Sequence, residues 1–176
     1  MSELQELIPM TLDEFESMIK DERLCYELID GIVAMSPSPS FQHQVLGSRL
    51  VSIASNQLKS VCTAVYEFDI KIDKYNVLRP DVSLYCKGQE SIPEIVFEIL
   101  SPSTKQKDLM VKPARYKAAG VKEYWIIDPD SHTVLVHTFA SDENDEIHIY
   151  NEHAVIQSKV HPELVIKAVE LFENIV

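Results

Sequence analysis

No run of about 18 consecutive apolar residues occurs in the 176-residue sequence, so nothing in it predicts a membrane-spanning helix. The opening Met1-Ser2-Glu3-Leu4-Gln5-Glu6 lacks the basic start and apolar core of a secretion signal. Cysteine is scarce. Cys25, Cys62 and Cys86 are far apart and odd in number, which argues against a disulfide framework or a zinc site and predicts a reducing, cytoplasmic setting. Bases are outnumbered too, with 16 Lys and Arg against 28 Asp and Glu, for a net charge of −12. Nucleic-acid binders are usually basic, so the global charge counts against that class. Internal repeats and low-complexity tracts are missing, and the Ser/Pro stretches are too short to be linkers. The expectation is one domain over residues 1–176.

What is present supports a folded chain. Hydrophobic residues make up 45%, and a chain of this length buries roughly 70% of its extended surface on folding. The negative charge is uneven. Residues 1–30 hold nine acids and two bases, and residues 141–176 hold eight acids and two bases, which leaves 31–140 at +1. Within that middle part, Lys105 to Lys117 has five bases against Asp108 alone. Phosphates respond to charge within about a Debye length, ~8–10 Å, so this local excess keeps nucleic-acid contact open. A solvated helix face is the plainer reading.

Thr11 before Leu12-Asp13-Glu14-Phe15 reads as an N-cap with an acidic first turn and predicts a short helix to Lys20. Leu24 to Ile29 and Ile32 to Met35 are strand-like and joined by the hairpin signal Asp30-Gly31, with Glu27 inside the first strand. Ser36-Pro37-Ser38-Pro39 opens a loop. Ser40 then caps an expected helix from Phe41 to Leu58, with His43 in its first turn and Val45, Leu46, Leu50, Ile53 and Ala54 at helical spacing. Two strands are expected between Val61 and Asp73, with Glu67, Asp69 and Asp73 mostly outward, then a strand over Val82–Tyr85 and a loop at Lys87–Gln89.

After Ser101–Thr104 a helix is expected from Asp108 to Ala118, ended by Gly120. Pro113 either kinks it or marks where its regular part begins. Val121 to Ile127 reads as a buried strand, with Tyr124 and Trp125 in the core. Thr133–Phe139 and Ile147–Tyr150 form a meander, and Val165–Phe172 a short helix or strand. This order predicts an α+β or mixed α/β fold in which one sheet carries Glu27, Asp81 and Glu98.

The informative stretch lies between Arg79 and Lys112. Ile95-Val96-Phe97-Glu98-Ile99-Leu100 is a strand-like run holding one carboxylate. A lone carboxylate in an apolar layer costs several kcal/mol, so Glu98 needs a cation or a proton nearby. Asp81 stands 17 residues earlier, at the start of the run Val82-Ser83-Leu84-Tyr85. Two strands and a turn fit in that interval, so the two acids can stand side by side. A pair of carboxylates at one point on a sheet suits a hard divalent cation.

Pro80-Asp81, seventeen residues, then Glu98 resembles the PD-(D/E)XK nuclease superfamily. Several further segments resemble the Uma-type family of putative restriction endonucleases within it: Tyr26-Glu27-Leu28-Ile29-Asp30-Gly31; Met35-Ser36-Pro37-Ser38-Pro39 with His43-Gln44; Arg79-Pro80-Asp81-Val82; Phe97-Glu98-Ile99-Leu100-Ser101-Pro102-Ser103-Thr104; Asp108 with Lys112; and Gly120-Val121-Lys122-Glu123-Tyr124-Trp125-Ile126-Ile127-Asp128-Pro129.

The resemblance implies a restriction-endonuclease-like fold, a central mixed β-sheet flanked by helices. The nuclease core would span 11–139, with a C-terminal extension over 140–176. It implies a divalent-metal-dependent endonuclease that hydrolyses DNA, with Glu27, Asp81, Glu98 and Lys112 as catalytic residues and His43 and Asp108 as accessories. Mg²⁺ or Mn²⁺ would be held by Asp81, Glu98 and the backbone carbonyl of Ile99, and by Glu27 through water or at a second ion. A homodimer acting away from membranes is expected, because double-strand cutting by a small one-site nuclease usually needs two copies.

One position departs from the superfamily pattern. A lysine is expected two residues after the second acid, on the same strand face, but position 100 is Leu. In the Uma-type family the lysine comes from the following helix, where Lys112 matches. Each piece also has a plainer reading. Glu98 can be paired with an unrelated buried base, Glu27 can be an outward strand charge, and His43 can be a surface or capping residue. The alternative to a nuclease is a catalytically weak or inactive nucleic-acid- or protein-binding module on a nuclease fold. An enzyme acting on RNA or a modified nucleic acid is a third possibility.

Overall fold

The computed structural model describes residues 8–87, 91–140 and 144–175. Most of the loop expected at Lys87–Gln89 therefore lies outside the described residues. In chain order the elements are α1 (Leu12–Ser17), β1 (Leu24–Ile29), β2 (Ile32–Pro37), α2 (Phe41–Leu58), β3 (Cys62–Tyr66), β4 (Ile70–Asp73), β5 (Asn76–Leu78), β6 (Val82–Cys86) and β7 (Ile95–Ile99). They continue with α3 (Lys105–Met110), α4 (Lys112–Ala119), β8 (Glu123–Asp128), β9 (Thr133–Thr138), β10 (Glu146–Asn151), β11 (Val155–Gln157), β12 (Val165–Lys167) and α5 (Ala168–Phe172). Among the described residues no helix is long and apolar enough to cross a membrane.

Local chemistry explains most boundaries. Thr11 and Glu14 form a reciprocal capping box that starts α1. Asp30 (φ 53°) and Gly31 (φ 74°) make the two-residue hairpin turn between β1 and β2, both in the left-handed region that such a turn requires. The Ser40 hydroxyl accepts the His43 N–H and caps α2. Pro113 does not kink one helix. Two helices meet at Val111, and Pro113 sits in the first turn of α4, where its missing N–H costs nothing. Gly120 (φ 95°) closes α4 in the left-handed conformation. The C-terminal segment read as helix or strand is both, β12 followed by α5.

The expectation of one sheet needs correcting. The described residues form a six-stranded mixed sheet, ordered β10-β9-β8-β7-β6-β3, a four-stranded sheet, β2-β1-β5-β4, and the β11-β12 pair. Asp81 and Glu98 belong to the first, but Glu27 on β1 belongs to the second. The short strand β5, unmarked in the sequence reading, pairs with β1 and β4 and so builds the second sheet. Only β7 and β8 pair in parallel, and α3 and α4 lie in the connection between them.

Alternation along β7 sorts its side chains. Ile95, Phe97 and Ile99 enter a core with Leu46, Leu50 and Leu58 of α2, while Val96 and Leu100 enter one with Tyr116 of α4 and Leu78 of β5. Leu100 is therefore a core residue, as its apolar side chain suggests. Tyr124 and Trp125 are fully buried, as expected.

The reading of unpaired cysteines is also overturned. Cys62 and Cys86 face each other across β3 and β6 and are joined as a disulfide, leaving Cys25 free. Their 24-residue separation hid a direct cross-strand pairing. With them goes the argument for a reducing compartment.

Glu123, the first residue of β8, ties the C-terminal extension to the sheet. Its buried carboxylate accepts the Trp125 indole N–H (2.9 Å), the Ser158 hydroxyl (2.8 Å) and the Lys159 N–H (2.6 Å). Glu123→Ala leaves those donors without an acceptor, each worth about 1–3 kcal/mol if buried and unpaired. We expect a loss of about 3 kcal/mol of stability in urea unfolding at unchanged slope. A change within about 0.5 kcal/mol, the size of an ordinary surface substitution, would contradict this reading of the carboxylate.

Candidate active site

The β6–β7 pairing sets Val82 opposite Phe97 and Ser83 opposite Val96. One step further along this antiparallel register, Asp81, just before β6, stands opposite Glu98 near the end of β7. The Asp81 carboxylate accepts the Ile99 N–H at 2.6 Å, which fixes it beside the end of β7. On β1, Tyr26 and Leu28 pack with Phe15 and Val77. Glu27 therefore points to the other side, where it accepts the Arg79 N–H at 3.0 Å.

Lys112 joins these pieces. It opens α4, is 2% exposed, and its ammonium lies 2.9 Å from Glu27, 2.8 Å from Glu98 and 3.0 Å from Asp108. The break at Val111 preserves the i,i+4 relation between Asp108 and Lys112. The Tyr116 hydroxyl donates to the same Glu98 oxygen at 2.8 Å, and the Tyr124 hydroxyl donates to the Asp108 carbonyl at 3.0 Å. The buried partner of Glu98 is thus the lysine that the sequence singled out.

Burial is the largest influence on this cluster, and charge opposes or reinforces it. Burial pushes Glu98 up. Lys112 pulls it back, while Asp108, Asp81 and Glu27 push it up again, and it ends well above the ordinary carboxylate range. Asp108 is raised by burial in the same way, against the pull of Lys112. Burial alone would lower Lys112, but Glu27, Glu98 and Asp108 more than reverse this and hold it charged, well above its usual value.

His43 stands on the open side, its Nε2 3.1 Å from Asp81 Oδ2. Burial depresses its pKa, but the hydrogen bond and charge of Asp81, with Glu67, leave it raised. Its Nδ1 is buried without a hydrogen-bond partner among the described residues.

Glu27, His43, Glu67, Asp81, Glu98 and Lys112 line a cleft of about 400 Å³. Asp108 is buried behind Lys112 and does not line it. Glu67 was expected to point outward, and the structure corrects this. It follows the end of β3 with φ 46°, a left-handed turn that breaks strand alternation, and its N–H bonds the Asp81 carbonyl at 3.0 Å. No sequence signal marks such a residue, because glycine and not glutamate usually occupies that conformation.

The donor chemistry fits a hard divalent cation. Asp81, Glu98 and Ile99 line the same cleft and carry the oxygen donors such an ion takes, and the surrounding acids outnumber the single buried ammonium. An imidazole of raised pKa already sits against Asp81, so that place favours positive charge. The basic segment, by contrast, is not a free patch. Lys105 pairs with Asp128, Lys107 with Glu27, Arg115 with Asp30 and Lys117 with Asp145.

Comparison with known proteins bears on the family and the fold. The family model Uma2, described as "putative restriction endonuclease", matches residues 12–169. A solved structure described as a putative nuclease belonging to DUF820, from Anabaena variabilis, superposes with a TM-score of 0.81 at 24% identity, covering 96% of this chain and 100% of that one. At that identity it speaks for the fold. No curated protein matches the chain.

Removing one member of a buried ionic cluster leaves the others uncompensated, at a cost of about 3–5 kcal/mol. Lys112→Met should destabilise the protein by that amount at neutral pH. A lysine whose folded pKa is raised contributes stability below its unfolded value, ~10.4, and loses it as pH rises through the folded one. The orphaned Glu98 and Asp108 would be raised further and favour folding when protonated, so the deficit should shrink on acidification. Chemical denaturation across pH checks both points, and a pH-independent deficit would show that Lys112 acts through packing alone.

Proposed function

The chain belongs to the Uma2 family, described as putative restriction endonucleases, and we propose that it is a divalent-metal-dependent endonuclease hydrolysing DNA phosphodiester bonds. The observation that carries this reading is the meeting of Asp81, Glu98 and Lys112 at one cleft. Asp81, Glu98 and the Ile99 carbonyl hold the ion, Mg²⁺ or Mn²⁺, and Glu27 contacts it through water or takes a second one. When bound, the ion supplies Lewis-acid polarisation of the phosphate and a water of lowered pKa.

The rest falls to the chain's own groups. Lys112, kept charged by its acids, neutralises charge that develops on the phosphate and holds Glu27 and Glu98 in place. Asp108 positions Lys112 from behind. His43, which lines the cleft beside Asp81, would offer an N–H to the phosphate. Glu67, hinged at the same cleft, adds negative charge that favours the cation. Two copies acting together would cut both strands.

Net charge of −12 and Leu100 in the usual lysine position motivate the second reading, a weakly active or inactive binding module on the same fold. Plasmid nicking separates the two. We expect cleavage with Mg²⁺ or Mn²⁺, none with chelator, and loss in Asp81→Ala and Glu98→Ala. Binding without metal-dependent cleavage supports the module, and preferential cleavage of RNA redirects the substrate.

Because Glu98 and His43 both have raised pKa values at the cation position, protons compete with the metal there. Mn²⁺ affinity measured by calorimetry should therefore weaken as pH falls from about 8 to about 6, through the range where histidine charges. Glu98→Gln should abolish that binding. Affinity indifferent to both pH and Glu98 would remove the metal site.

A further inference from the structure

A second group of metal-binding side chains lies elsewhere on the same sheet. Cys62 on β3 and Cys86 on β6 are directly opposed, with Cα atoms 4.0 Å apart. The turn between β11 and β12 brings His161 onto them. Its Nε2 lies 3.2 Å from Cys86 Sγ, 3.7 Å from Cys62 Sγ and 2.7 Å from Glu94 Oε2. These four residues come from β3, β6, the segment before β7 and the β11–β12 turn, so sequence spacing gives no hint of them. The cluster is sheltered, with Cys62 8%, Cys86 6% and the His161 side chain 14% exposed.

The surrounding bonds hold it in place. The His161 N–H donates to Ser158 Oγ, whose hydroxyl donates to buried Glu123. The other Glu94 oxygen takes the Lys122 ammonium at 2.7 Å. Asp81 and Cys86 sit at opposite ends of β6, and five residues of strand span about 17 Å, so this cluster is separate from the cleft.

We infer that, once the disulfide is reduced, Cys62, Cys86, His161 and Glu94 form a structural Zn²⁺ site. Tetrahedral zinc, with Zn–S near ~2.3 Å and Zn–N near ~2.0 Å, sets its S···N edges at about 3.5 Å and its S···S edge at about 3.8 Å. The two observed S···N distances already bracket the first value. The sulfurs need to part, and the Glu94 carboxylate has to draw back from 2.7 Å to the N···O edge of about 3.3 Å that ~2.0 Å bonds set. Two thiolates, one imidazole and one carboxylate suit zinc rather than the hard ion of the cleft. The disulfide is the metal-free, oxidised form of the same site.

The chemistry balances. A dithiol reductant gives two electrons and two protons to the Cys62–Cys86 bond, which breaks to two thiols while the dithiol closes to its own disulfide. Zn²⁺ then displaces both thiol protons, and His161 binds through Nε2 with its proton moved to Nδ1. Through His161 the site would clamp the C-terminal extension to β3 at the edge of the sheet in a reducing compartment, whereas the disulfide ties only β3 to β6.

The test uses the full chain carrying Asp81→Asn, which weakens cation binding at the cleft while Glu98 stays paired with Lys112. After reduction and removal of the reductant, Zn²⁺ is titrated against a chromophoric chelator, and Co²⁺ is added as a spectroscopic substitute. We expect one equivalent of zinc, a thiolate-to-cobalt charge-transfer band, and a raised Tm with zinc present. Cys62→Ser with Cys86→Ser should abolish the band. Glu94→Gln should weaken zinc binding by more than the roughly 10–100-fold that loss of an outer-shell partner costs, because Glu94 is itself a ligand. Absence of a stoichiometric ion or of the charge-transfer band in the reduced chain overturns the proposal, as does a disulfide that stays closed in the folded protein. That result does not depend on whether the cysteine variants fold.

Discussion

One ammonium group fixes the geometry on which the candidate site depends. Stripping Lys112 of water costs of order 20 kcal/mol in idealised Born terms, and several even after relaxation. Only anions at contact distance offset that. The three that do come from unconnected places: Glu27 from the small sheet, Glu98 from the large one and Asp108 from the crossover helix α3. Two sheets and two helices are therefore held in register by a single atom. The hydroxyls of Tyr116 and Tyr124 tighten the arrangement by bonding Glu98 and the backbone of Asp108.

Such a cluster is a poor way to gain stability, since well-packed apolar residues often serve as well or better. Its charge does not balance either. Three acids enclose one base, and Asp81 and Glu67 stand close by. The excess is relieved by raising the proton affinity of Glu98 and Asp108 and by drawing a raised His43 onto Asp81. A fold that keeps surplus negative charge beside an open cleft is arranged for a cation to enter, which is the physical content of the proposed metal site.

Much of this was legible in the sequence because it rests on local pattern. The Asp30-Gly31 turn, the Ser40 cap, the apolar run around Glu98 and the Gly120 stop are short-range signals, and all four stand where they were read. The placing of Asp81 beside Glu98 came from the interval between them and the choice of Lys112 over Leu100 from motif resemblance, and the structure brings these three residues to one cleft. What was missed is non-local. Glu27 lies on its own sheet because three-residue β5 builds one, and so short a strand leaves no periodicity to detect. Glu67 turns inward through a left-handed backbone that glutamate rarely adopts. Cys62 and Cys86 face each other because β3 and β6 pair, which 24 intervening residues conceal.

The distribution of charge bears on how an acidic chain could engage a polyanion. The basic segment that kept nucleic-acid contact open is tied up in ion pairs with Asp128, Glu27, Asp30 and Asp145. It cannot release many counterions from a phosphate backbone, and that release drives most salt-sensitive binding. Attraction has to arise locally, from a divalent cation between phosphate and carboxylates, where screening over ~8–10 Å leaves the distant acids of the chain's two ends without much effect. On the proposed activity, affinity and catalysis would then share one cause. The ion that neutralises the acids of the cleft would also be the group that the phosphate meets, and the protein would grip its substrate firmly only while the site is loaded.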